Sequence, residues 1–108
     1  MEMPFEIIED TAGQHPVISV RGEVDLVTAP QLHDVLLSAF SVDTPGGVVD
    51  LSDVTFLDST GLSVLVTAQK HCRDNGGAIE LVITSPSVLR VFEITGLAQH
   101  FSIVERRP

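Results

Sequence analysis

The chain has 108 residues, 44% hydrophobic and 19% charged, enough for one domain with one main core and unlike either a disordered chain or a disulfide-stapled scaffold. A net charge of −9 opposes nucleic-acid phosphates and anionic lipid headgroups, so the expectation is a basic protein partner, with no nucleic acid and no direct membrane binding. The lone cysteine, Cys72, can form neither an internal disulfide nor a paired-thiol metal knuckle, and is expected to be a small semi-buried residue.

The amino terminus, MEMPFEIIED, is acidic and lacks the basic and apolar regions of a secretory signal. No apolar run approaches the roughly 18 residues of a membrane span, so a cytoplasmic protein is expected. Phe5 to Ile8 and Val17 to Arg21 are rich in β-formers and flank a turn-prone Thr11-Ala12-Gly13-Gln14, which predicts a hairpin. Leu32, Val35, Leu36, Ala39 and Phe40 then line one face of a first helix, with Thr28 as its N-cap and Pro30 in its first turn.

Thr44-Pro45-Gly46-Gly47 separates that helix from a short buried strand, Val48 to Leu51. A second helix is predicted from about Ser59 to Asp74, stopped by Asn75-Gly76-Gly77. Ile79 to Ile83 is almost wholly aliphatic, as in a central parallel strand covered on both faces. Ser87 is expected to cap a third helix carrying Val88, Val91 and Phe92, Gly96 to end it, and Phe101 to Val104 to form an edge strand. This order predicts an α/β fold: one domain over 1–108, with a core of about 5–104, a mixed, mostly parallel sheet and about three flanking helices.

The junction Leu57-Asp58-Ser59-Thr60-Gly61 holds the most informative chemistry. Strand-to-helix handovers are where open α/β sheets place function, because a helix amino end offers unpaired amides and partial positive charge. Local pattern makes Ser59 the N-cap of the second helix. Capping alone explains neither Asp58 before it nor Gly61 after it, since glycine costs a helix interior about 1 kcal/mol, so the glycine is expected to keep the backbone open. A phosphate on Ser59 would bring about −1.5 to −2 charge to a site whose dipole tolerates it, beside Asp58 and Asp25. Phe56 and Leu57 are both expected to anchor the preceding loop in the core.

"FLDSTGLSVLV" resembles the signature of the STAS-domain anti-sigma factor antagonists of bacteria, in which the serine after aspartate in a D-S-[ST]-G-L motif is phosphorylated. "VRGEVDLVTAPQL", residues 20 to 32, and "SPSVLRVFEITGL", residues 85 to 97, are similar to two further segments of that family, in the same order. The resemblance implies a STAS fold and a partner switch. The unphosphorylated protein binds an anti-sigma factor serine kinase and releases the sigma factor; phosphorylation ends the binding, and a PPM-type serine phosphatase restores it. It places the acceptor at Ser59, with Thr60 as alternative, and the partner-binding surface at Asp25, Asp58, Ser59, Thr60 and Gly61. A STAS scaffold or regulatory subunit of a stress-signalling assembly or membrane transporter is the alternative role. Many members of the family continue into a further helix, whereas this chain stops at Glu105-Arg106-Arg107-Pro108, so dimer contacts of such a helix are not carried over and the oligomeric state stays unassigned.

Enzymatic readings find little support. Leu57 stands where a G-x-S-x-G nucleophile elbow needs its first glycine, with Asp58 next to it, and neither nucleotide-binding glycine loop occurs. His15, His33, His71 and His100 are scattered and expected at the surface, with no helical metal-site spacing. Neither cofactor nor metal is expected. Arg21, Lys70 and Arg90 read as ordinary solvated charges.

Overall fold

A computed structural model of the chain describes residues 4–105; Met1 to Met3 and the terminal Arg106-Arg107-Pro108 lie outside the described residues. Two strands open the fold, β1 (Glu6–Asp10) and β2 (Val17–Val24), paired antiparallel with Ile7 opposite Val20, as the turn residues between them predict. In β2, Ile18, Val20 and Val24 are buried while Val17, Ser19 and Arg21 are half-buried, the period-2 pattern of a strand with one core-facing side.

Helix α1 (Ala29–Ala39) buries Ala29, Leu32 and Leu36, and Phe40 closes it from a fully buried C-cap. Thr28 occupies the N-cap position, but its side chain makes no capping bond; it serves the preceding turn instead. Strand β3 (Gly47–Leu57) is far longer than the predicted Val48 to Leu51, because Asp53 to Leu57 continue the pairing with β2 and bury Val54 and Leu57 while the polar Asp53 and Thr55 stay exposed. Helix α2 spans Ser59–Asp74, as its apolar spacing predicts, and ends at Asn75.

Strand β4 (Ile79–Val82) leads to α3 (Pro86–Ile94), a short 3-10 helix Leu97–His100 and the edge strand β5 (Ser102–Val104). Helix α3 starts two residues earlier than a Ser87 cap would give: Ser85 is the N-cap and Pro86 fills the first turn, where its missing N–H costs nothing. The five strands lie in sequence order, β2 through β5 parallel and β1 antiparallel at one edge, which is the predicted α/β architecture of a mixed, mostly parallel sheet with three α-helices.

The core lies between sheet and helices. Ile18, Leu36, Leu51, Leu65, Leu81 and Phe92 are fully buried in it, and Phe92 meets Phe101 edge-on with ring centroids 5.7 Å apart. Gln69 is polar and buried, yet satisfied: its Nε2 donates to the His100 carbonyl at 2.7 Å and its Oε1 accepts the Ile79 N–H at 2.7 Å. That one side chain ties α2 to β4 and to the 3-10 helix. Of the predicted surface histidines, His15 and His100 are exposed, whereas His33 and His71 are half-buried. His71 donates from Nε2 to the Phe40 carbonyl at 2.6 Å, one of the orphan acceptors at the end of α1. Cys72 is fully buried, further than the semi-buried expectation, and burial pushes its thiol up to about 11. Arg90 is exposed, while Arg21 pairs with Glu6 at 3.3 Å and with Asp53 at 3.8 Å. Lys70 pairs with Asp74 at 2.9 Å, one helical turn on.

Candidate functional site

The register between β2 and β3 builds the candidate site. Arg21 pairs with Asp53, Gly22 with Val54, then Glu23 with Phe56 and Val24 with Leu57, so a shift in register falls between Gly22 and Glu23. Gly22 has φ 93°, a left-handed conformation that a side chain would strain, and it stands at that irregularity. The two strands then end level. Asp58 donates its backbone N–H to the Val24 carbonyl at 3.2 Å, which brings the residues after Val24 alongside those after Leu57. Asp25 and Asp58, thirty-odd positions apart in sequence, are neighbours at this edge for that reason.

Asp58, not Ser59, caps α2. Its backbone is extended (φ −99°, ψ −175°), and its Oδ1 accepts from the Thr60 N–H at 2.9 Å and the Gly61 N–H at 3.0 Å. The expectation of a capping serine fails because an aspartate one position earlier reaches the same orphan amides with a full negative charge, which the helix dipole favours. Ser59 is thereby displaced to the first helical position, exposed, and its hydroxyl makes no hydrogen bond with the described residues. Its carbonyl accepts the Ser63 hydroxyl at 2.9 Å. Thr60 is half-buried and Gly61 buried.

Gly61 answers to packing rather than to backbone openness. A Cβ built there would lie 2.6 Å from Leu57 Cδ1 and 2.6 Å from Val24 Cγ1, so only a glycine lets the first turn of α2 sit directly on the ends of β2 and β3. Leu57 is buried at 4% exposure, as expected, but Phe56 is 48% exposed and does not anchor the loop in the core. Consecutive residues of an extended strand point to opposite faces, and at this end of β3 only the face of Leu57 is covered.

Asp25 also makes local structure. Its Oδ1 accepts the N–H groups of Val27 at 2.9 Å and Thr28 at 3.1 Å, and its own N–H donates to Thr28 Oγ1 at 3.0 Å. The Thr28 hydroxyl in turn donates to the Glu23 carbonyl at 2.9 Å. This network holds Leu26 and Val27 out in solvent, at 73% and 84% exposure. Sequence alone assigns these two residues no role; they fall between the predicted strand, which ends at Arg21, and the helix start at Thr28. The site therefore presents an unbonded hydroxyl on a capped helix end, two aspartates at adjoining strand ends and a small apolar protrusion.

Among the described residues, no group of three or more His, Cys, Asp or Glu is arranged to hold a metal ion. Nor is any helix among them long and apolar enough to cross a membrane.

Comparison with known proteins agrees with this geometry. The family model described as Mlab, STAS domain matches residues 7–105. An anti-sigma-B factor antagonist of Listeria monocytogenes is 39% identical over 107 residues, which cover 95% of this chain and 90% of that protein. One from Staphylococcus aureus is 36% identical over 95 residues, 88% of each chain. The crystal structure of an anti-sigma factor antagonist from Mycobacterium paratuberculosis aligns with a TM-score of 0.87 at 30% identity, covering 98% of this chain and 92% of the other. The chain belongs to the STAS domain family, among its anti-sigma factor antagonists.

Proposed function

We propose that this protein is a cytoplasmic, non-catalytic partner switch acting as one domain over 1–108. Its unphosphorylated form binds an anti-sigma factor serine kinase, which frees the sigma factor for transcription. The kinase transfers the γ-phosphoryl group of ATP to the Ser59 hydroxyl, binding is lost, and a PPM-type serine phosphatase hydrolyses the phosphoester to restore it. The observation that carries this reading is the division of labour at the α2 amino end: Asp58 does the capping, so the exposed Ser59 hydroxyl is left for chemistry. Asp25, Asp58, Thr60 and Gly61 surround it as the partner-facing surface.

The magnitudes suit a switch. A phosphate on Ser59 adds about −1.5 to −2 charge and a strongly hydrated group beside Asp58 and Asp25, and a partner that packs on the bare hydroxyl must strip that hydration or leave the charge imperfectly paired. A loss of about 3 to 4 kcal/mol weakens affinity several hundredfold. Incubation with ATP and the cognate kinase, followed by mapping of the phosphate by mass spectrometry, tests the assignment: wild type is modified at Ser59 and Ser59→Ala is not. Full modification of Ser59→Ala would move the acceptor, Thr60 being the next candidate.

A further inference from the structure

We propose that the turn built by Asp25 is a rigid mount for an apolar anchor, Leu26 and Val27, which inserts into an apolar cleft rimmed by cationic side chains on the anti-sigma factor kinase. The inference rests on the functional reading above and adds residues that neither the motif nor the family match assigns. Single exposed aliphatic residues are ordinary on protein surfaces. Two consecutive ones, 73% and 84% exposed, held by four hydrogen bonds and set at the strand end beside the phospho-acceptor, are a different feature.

The hydrogen bonds make the loop an ordered protrusion before any partner arrives, so less conformational freedom is lost when it docks. Apolar side chains that enter a pocket and leave water make up the buried centre of an interface, with a polar rim around them. Here the rim is acidic: Glu23 is exposed, and Asp25 and Asp58 are partly exposed. With the net charge of −9, that rim selects a partner whose cleft is lined with lysine or arginine.

Asp25 acquires a positioning role through its turn, in addition to its charge at the rim. An asparagine has the same Oδ1 acceptor and keeps the turn; an alanine loses it. The test is calorimetric titration of the unphosphorylated protein with each anti-sigma factor kinase of its own organism. Leu26→Ser and Val27→Ser are each expected to weaken binding by about tenfold or more with melting temperature unchanged, since both side chains are already in water. Val42→Ser, at a residue 77% exposed in the loop after α1, is the control and leaves affinity unchanged. Asp25→Asn keeps the turn and loses less affinity than Asp25→Ala, which follows the anchor variants. Wild-type affinity in both anchor variants would overturn the anchor while leaving the switch intact. Equal losses in Asp25→Asn and Asp25→Ala would assign Asp25 to charge and overturn the mount. Failure of the wild-type protein to bind any of these kinases would overturn the functional reading and the anchor with it.

Discussion

Oδ1 of Asp58 accepts the N–H of Gly61 at 3.0 Å, spanning the first turn of α2 across a serine that it leaves unengaged. The same oxygen accepts from Thr60 at 2.9 Å. Asp58→Ala removes both acceptors from amides that α2 cannot satisfy internally, and is expected to cost about 1 kcal/mol, within the ~0.5–2 kcal/mol range of lost caps. For a domain of this size that lowers the melting temperature by roughly 4–8 °C, readable by calorimetry, and Asp58→Asn or Asp58→Ser recovers most of it.

Ser59 behaves oppositely. Ser59→Ala is expected to change stability by no more than about 0.5 kcal/mol, since an exposed and unbonded hydroxyl contributes little to the fold. Ser59→Asp is also tolerated within about 1 kcal/mol, because acids suit helix amino ends, yet it weakens binding to the kinase. Urea titration alongside isothermal calorimetry separates these effects; unchanged affinity in Ser59→Asp and in the phosphoprotein would remove the electrostatic switch.

Gly61→Ala drives a Cβ to within 2.6 Å of Val24 Cγ1 and Leu57 Cδ1. Leucine can rotate aside, but Val24 is β-branched, fully buried and stiff at χ1, so overpacking of about 1–3 kcal/mol is expected despite the better helix propensity of alanine. Chemical denaturation measures this directly. A Gly61→Ala protein more stable than wild type would mean that the first turn of α2 can lift from the strand ends.

Gln69→Leu keeps the side chain's bulk and deletes its polar atoms. The Ile79 N–H, now bonded to Gln69 Oε1 at 2.7 Å inside the core, loses its acceptor, and the His100 carbonyl loses a donor. Leaving a buried donor unpaired costs about 1–3 kcal/mol. Hydrogen exchange is expected to show faster opening at Ile79 and around the 3-10 helix before the rest of the sheet.

Cys72 lies fully buried, with its thiol pushed up to about 11 from an ordinary 9.0 by desolvation. The native state therefore retains a proton that the unfolded state gives up between these values, so stability falls as pH rises through about 9 towards 11 and is untouched by this group at neutral pH. Thiol-directed alkylation at pH 8 should be slow in the native protein and fast once urea unfolds it. Equal rates in the two states would place the thiol at the surface.

Much of the site was legible because its signals are local. The apolar spacing of α2, the Asn75-Gly76-Gly77 stop and the Asp58-Ser59 pair at a strand-to-helix junction can each be read over a few residues. Which of the two adjacent polar residues caps the helix was not legible: both suit the position, and the choice falls on the one whose backbone enters extended and whose side chain turns back onto the first amides. Phe56 shows a related failure. Two adjacent apolar residues suggest an anchor, but β3 runs through Leu57, and its last residues are covered on one face only, which leaves Phe56 outside.

By itself, then, the sequence determined the order of elements, an α/β class and an acidic surface with a serine at a helix start, since periodicity, turn residues and charge act within a few residues along the chain. Tertiary structure decided the rest. The level ending of β2 and β3 puts Asp25 beside Asp58, close packing explains Gly61, and the Asp25 turn leaves Leu26 and Val27 bare. These depend on strand register and on contacts between distant segments, which only the folded sheet brings together.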